Sequence, residues 1–258
     1  MVKFKYSLIL GLFCIISISV DGQDAVTQIP WMAGGSMHTG FLVNHHNNMR
    51  ILNEQTPYAL EFFIAKPTGG EKPWQSFYRN PLYGISCMML NTGSPSYLGK
   101  TYAVYPFLHF SLTDVDRTVN LNLRFGTGVA YVEKIFDRFS NYKNMTISSH
   151  LNVLLAFRME GRIRVAAPLY VSGGWALTHI SNGAFKKPNS GLNYITVFAG
   201  AGYAFGKEQT VKQGDRDDFI IDREWHYAVY LSGGVKTSHH RKSFLSVLSA
   251  FNDLQDFA

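Results

Sequence analysis

From residue 37 onward the chain alternates apolar and polar side chains in segments of about ten residues, punctuated by Gly, Asn, Asp and Pro. A period of two sends successive side chains to opposite faces of a strand. In 117–129, Val119, Leu121, Leu123 and Phe125 share one face, and Thr118, Asn120, Asn122, Arg124 and Gly126 share the other. In 147–160, Leu151, Val153, Leu155, Phe157 and Met159 stand against His150, Asn152, Ala156, Arg158 and Glu160. In 224–237, Trp225, Tyr227, Val229, Leu231 and Val235 stand against Glu224, His226, Ser232 and Lys236. The spacing predicts strands over 37–45, 57–66, 82–91, 99–112, 117–129, 147–160, 162–178, 193–206 and 224–237, with a weaker one over 241–251. Residues 24–35 show no period and read as an extended lead-in, and no segment after residue 22 keeps a helical period.

A water-soluble sandwich or lipocalin-like barrel also alternates, but it hides the apolar set and shows the polar one to water. Here the strands are long, and the second face mixes Arg, Glu, His and Asn with Gly. The short stretches Asp114-Val115-Asp116 and Glu160-Gly161 read as very tight turns. That combination favours an all-β, antiparallel, transmembrane barrel of the outer-membrane kind, with lipid outside and a polar lumen. Eight strands are expected, or somewhat more, up to about twelve. The tight turns fall at one end and the long connections 130–146 and 179–192 at the other. In such barrels the long loops face outward. The connections 67–81 and 207–223 are long at the short-turn end and do not fit this scheme.

The first residues change the setting. Lys3 and Lys5, the apolar run Leu8–Val20 and the polar Asp21-Gly22-Gln23 read as a secretory signal over 1–22, leaving one barrel domain over 23–258. The tail Asn252–Ala258 does not alternate and does not close a strand on a terminal aromatic, so the chain reads as an incomplete version of a longer barrel. Once the leader with Cys14 is removed only Cys87 remains, which excludes an intrachain disulfide and a cysteine metal cluster. The formal charge of +6 falls to +5 with the loss of two lysines and one aspartate. Such a surface suits anionic lipid or phosphate groups and is also ordinary for a soluble protein. No helix-turn-helix, zinc finger or aromatic-basic repeat is present, so no nucleic acid is expected. His45-His46 and His239-His240 lack further ligands at useful spacing, and no metal is expected there.

The candidate chemistry lies in Thr178–Asn193. Over 162–181 the apolar set is Ile163, Val165, Ala167, Leu169, Val171, Gly173, Trp175 and Leu177, and it continues into His179 and Ser181. An imidazole and a hydroxyl two apart on one strand face are near neighbours, a geometry in which the first can activate the second. They sit at the edge of the apolar face. Asn193 opens the apolar face of the next strand, Ile195, Val197, Ala199, Ala201, Tyr203 and Phe205, on the same lipid-facing side.

The run His179-Ile180-Ser181-Asn182-Gly183, followed by Pro188-Asn189 and Gly191-Leu192-Asn193, resembles the outer-membrane lipid A 3-O-deacylases and the related acyloxyacyl hydrolase-like proteins, closely over 160–206. The resemblance implies a membrane-facing esterase that removes a (3-hydroxy)acyl chain from lipid A of lipopolysaccharide without metal or organic cofactor. It implies Ser181 as nucleophile and His179 as general base. The oxyanion and substrate would be held by the backbone at Gly183 or Ala184 and by the side chains of Asn189 and Asn182. The family's third triad member is acidic, and here that position is Asn193. An amide can orient a histidine tautomer but cannot offset imidazolium charge. Plainer roles stand beside these: His179 and Ser181 as interfacial residues, Asn182, Asn189 and Gly191 as turn formers, Lys186 and Lys187 as solvated rather than phosphate-binding, and Trp175 and Tyr194 as an aromatic belt. A different class is also open. Inward Arg124, Arg158, Arg162 and Arg164 would suit a non-enzymatic porin-like or structural barrel. A phospholipase or general esterase of the same architecture is a third reading.

Overall fold

The computed structural model of the chain describes residues 26–28, 31–70, 72–113, 118–206, 209–211, 229–237 and 243–251. The leader over 1–22 and the turn Asp114-Val115-Asp116 lie outside them. In chain order the strands are β1 (Val26–Gln28), β2 (Trp31–Leu42), β3 (Tyr58–Pro67), β4 (Leu82–Asn91), β5 (Lys100–Ser111), β6 (Val119–Val132), β7 (Leu151–Ala166), β8 (Leu169–Ser181), β9 (Leu192–Phe205), β10 (Gln209–Val211), β11 (Val229–Thr237) and β12 (Ser243–Phe251). A 3-10 helix, Asn47–Leu52, lies in the β2–β3 connection, and a five-residue helix, α1 (Pro73–Phe77), lies between β3 and β4.

Strands β2 to β9 form a closed antiparallel barrel of eight strands, each pairing its sequence neighbour, with β9 returning to β2 from Trp31↔Phe205 to Leu42↔Tyr194. Closure leaves no strand edge unpaired, which is what hydrocarbon demands of a spanning backbone. The expected strands over 224–237 and 241–251 are not part of it: β11 and β12 pair with each other in a separate two-stranded sheet, and β1 pairs with β10 in another.

Most boundaries shift by one to four residues, and two places depart further from the sequence. Strand β2 begins at Trp31, inside the supposed lead-in, because small residues Ala33, Gly34, Gly35 and Ser36 weaken the apolar alternation without preventing pairing. Glu160-Gly161 is not a turn. Strand β7 runs through it to Ala166, with Gly161 opposite Leu121 on one side and Gly173 on the other, and the reversal falls at Ala167-Pro168. The inward Glu160 meets Arg158 at 3.1 Å and Arg162 at 3.0 Å, so it needs no water.

The outward face is apolar. Met37, Phe62, Phe125, Val129, Leu155 and Val197 are exposed, as lipid contact requires. Aromatic residues ring both ends, with Phe41, Tyr58, Tyr102 and Tyr131 at one and Trp31, Tyr83, Tyr203 and Phe205 at the other. Of the two expected belt residues, Trp175 is outward but at mid-strand, against Phe157, and Tyr194 is buried in the interior, where its hydroxyl donates to the Thr92 carbonyl at 3.3 Å. Alternation decides this: if Asn193 faces lipid, Tyr194 faces the lumen. The interior holds Glu61, bonded to Arg158 at 2.8 Å, Arg124 at 3.1 Å, Ser86 at 2.8 Å and His38 at 3.1 Å. Arg124 stacks on Phe63 and Phe107, and Arg158 on Phe198.

Candidate active site

Strand pairing alone assembles the candidate residues. The β8–β9 register sets His179 directly opposite Asn193, and Ser181 lies two residues further along β8 on the same face, opposite Val153 of β7. All three side chains are half-buried at the loop end of the barrel. His179 Nδ1 stands 2.6 Å from Asn193 Oδ1, and Nε2 stands 2.9 Å from Ser181 Oγ. An amide oxygen only accepts, so with Oδ1 toward the ring the proton sits on Nδ1 and the Nε2 lone pair faces the serine hydroxyl. A hydroxyl whose proton already points at an imidazole nitrogen is ready to lose it on attack.

The loop after β8 is shaped by backbone geometry. Gly183 and Ala184 both have positive φ, 64° and 61°, and the Phe185 N–H donates to the Asn182 carbonyl at 3.2 Å. That is a type I′ turn one residue beyond the serine. Asn189 Oδ1 accepts the Asn182 N–H at 3.3 Å, which anchors the oxygen and leaves the Nδ2 hydrogens without a protein partner among the described residues. The Asn182 amide is placed differently from the expectation of a substrate contact. Its Nδ2 faces Ser149 Oγ at 3.0 Å, Ser148 Oγ at 3.3 Å and the Lys186 carbonyl at 2.9 Å, tying this loop to the β6–β7 connection. The Gly191 N–H donates to the Thr146 carbonyl at 3.1 Å and adds a second tie. Lys186 and Lys187 are exposed, and Phe185 projects at the loop tip with 95 % of its surface free.

The β2–β3 connection supplies a residue that the sequence reading set aside. The Val43 N–H donates to the Asn193 carbonyl at 2.8 Å, continuing the β2–β9 ladder, and His45 then returns over Asn193 with Nδ1 3.3 Å from Nδ2. The neighbouring His46 ring is 4.8 Å away. Nothing local in the sequence marks this contact, because it joins the first and last barrel strands. Beneath these three side chains a groove of about 890 Å³ runs from His179 and Asn193 over Leu177, Leu155, Phe157 and Phe125, with apolar walls. Among the described residues no group of three or more His, Cys, Asp or Glu is arranged to hold a metal ion.

Solved structures that match include Neisserial surface protein A, at 9 % identity and a TM-score of 0.48 over 70 % of this chain and 99 % of that one. The outer membrane enzyme PagL matches at 15 % and 0.46 over 65 % and 97 %. Ail, the attachment invasion locus protein of Yersinia pestis, matches at 13 % and 0.34 over 68 % and 97 %. No curated protein matches. The family model described as lipid A 3-O-deacylase (PagL) matches residues 59–202, more than half of the chain and the whole of the β8–β9 site. The chain therefore belongs to the lipid A 3-O-deacylase (PagL) family.

Proposed function

We propose that the chain hydrolyses the ester that links a 3-hydroxyacyl chain to lipid A, with Ser181 as nucleophile, His179 as general base and Asn193 as the group that holds the imidazole. Family membership makes the chain an outer-membrane hydrolase. The observation that supports the mechanism is the Ser181–His179–Asn193 hydrogen-bond chain, 2.9 and 2.6 Å, on the lipid-facing side of a barrel rather than in its lumen. An acyl chain can then stay in the groove over Leu177, Leu155 and Phe157, among the bilayer tails, while its ester carbonyl rises to the serine.

In the forward step Ser181 Oγ attacks the ester carbonyl as its proton passes to His179 Nε2. The resulting oxyanion is met by the free Nδ2 hydrogens of Asn189 and by backbone N–H groups of the Gly183-Ala184 turn. The imidazolium returns its proton to the sugar oxygen as the C–O bond breaks, leaving an acyl-serine and a free hydroxyl on the lipid. A water activated by the same Nε2 then releases the fatty acid and restores the serine. Asn193 keeps the ring in the reactive tautomer throughout. It lacks the charge that an acidic residue would bring to the imidazolium.

Mass spectrometry of lipid A after incubation with the refolded protein tests this. The parent is expected to remove one hydroxyacyl mass, and Ser181→Ala is expected to lose activity by a factor on the order of 10⁴ or more. Deacylation by Ser181→Ala at the parent rate would refute the mechanism.

A further inference from the structure

The hydrogen-bond chain does not stop at Asn193. His45 Nε2 lies 2.9 Å from the Ser190 carbonyl oxygen, and a carbonyl only accepts, so in the neutral ring Nε2 carries the proton and Nδ1 carries the lone pair. Nδ1 has two neighbours at 3.3 Å, the Val43 carbonyl oxygen and Asn193 Nδ2. An acceptor facing an acceptor makes no bond, so the Asn193 amide hydrogen is its partner. The relay then reads from Ser181 O–H to His179, from His179 Nδ1–H to Asn193, from Asn193 Nδ2–H to His45, and from His45 Nε2–H to Ser190. Every donor in it has an acceptor.

We infer that His45 is a positioning residue: it fixes which way the Asn193 amide faces, and through that the tautomer of His179. The inference rests on the reading of Ser181 and His179 as nucleophile and base. An amide differs from a carboxylate in having two unlike ends. With Oδ1 toward the ring, Nδ1 holds the proton and Nε2 is free to take the serine's. Turned over, Nδ2 would donate to Nδ1, force the proton onto Nε2 and leave Ser181 with no base. A carboxylate presents an acceptor either way and needs no orienting partner. The amide at position 193 is thus the reason that this chain needs an acceptor at His45 Nδ1.

The test is a double-mutant cycle between positions 45 and 193, read as kcat and KM on lipid A, with ¹⁵N NMR of the histidine rings in the folded, micelle-bound protein. His45→Ala is expected to lower kcat about fivefold, the worth of one neutral hydrogen bond, with KM unchanged. His45→Asn, whose Oδ1 can stand where Nδ1 stood, is expected to restore most of it. Asn193→Asp is expected to raise kcat about tenfold by pairing with the imidazolium, and in that background His45→Ala is expected to cost nothing further. The NMR shifts should show His179 protonated at Nδ1 in the parent and a mixture of tautomers in His45→Ala. Equal losses in both backgrounds, no loss in the parent background, or an unchanged His179 tautomer would each overturn the inference. If the parent cleaves no acyl ester, the functional reading fails, and the ring-nitrogen shifts alone still decide the role of His45.

Discussion

Gly191 shows how little room the His179 imidazole has. Its φ of +76° is a conformation that costs a residue with a Cβ about 1–2 kcal/mol, and a Cβ there would stand 3.1 Å from His179 Cε1 and 3.5 Å from Ser181 Cβ. Gly191→Ala must therefore strain the backbone and push the ring. The ring must give by a few tenths of an ångström, and since about 1 Å can cost roughly a hundredfold in rate, kcat is expected to fall about tenfold, with the unfolding free energy lowered by about 1–2 kcal/mol of backbone strain. A variant with parent kcat would show that the ring has slack. Much of this site was legible in the sequence. Same-face parity put His179, Ser181 and Asn193 together, and the pairing of β8 with β9 needed no more than a hairpin across 182–191. His45 was not legible, because its approach depends on closure of β2 onto β9, 148 residues apart in the chain at the His45–Asn193 contact. Residue type alone sends Tyr194 to an interfacial belt, whereas parity with Asn193 sends it inward, where it lies.

At the scale of elements the strands were legible because lipid imposes the same alternation on every one of them. Where the reading slipped, a polar side chain had found an internal partner: Glu160 beside Gly161 has the composition of a turn, but Arg158 and Arg162 satisfy it inside the barrel. The connections were less legible, since their order comes from contacts between loops. Asn144, buried, donates from Nδ2 to the Tyr97 and Lys134 carbonyls at 3.1 and 3.2 Å, and the Asp137 carboxyl is held below its usual range by the Ser140 N–H, the Ser140 hydroxyl and the Phe139 N–H. The strand faces themselves can be tested away from the site. Phe62 of β3 is outward, mid-strand and 64 % exposed. Phe62→Lys is expected to destabilise the barrel by about 2–4 kcal/mol in urea titrations in lipid vesicles, and Phe62→Leu by far less. Tolerance of lysine there would place water, not acyl chains, on this face.

For the whole molecule, the outer wall carries the candidate chemistry and the interior carries the charge. Glu61 is fully buried, with Arg158, Arg124 and His38 around one carboxylate, and Glu160 links Arg158 to Arg162. Of the arginines that suggest a porin from the sequence, Arg124 and Arg158 are buried, stacked on aromatic rings and bonded to Glu61, and Arg162 is bonded to Glu160, whereas Arg164 is exposed. Such a network gives the strands a rigid frame, and the His179–Asn193 geometry depends on β8 and β9 keeping their register within that frame. Removing one partner of a buried ion pair leaves the other uncompensated, at a cost of about 3–5 kcal/mol. Glu61→Gln is therefore expected to lower the unfolding free energy in vesicles by roughly that amount, although Glu61 lies in the lumen and touches none of the three candidate catalytic side chains. The parent is expected to show no steady conductance in planar bilayers. An unchanged urea midpoint in Glu61→Gln would mean that water, not protein, already solvates Arg124 and Arg158, and an open ohmic current would show the same directly. Either result would turn the interior from a scaffold for the outer face into a pore.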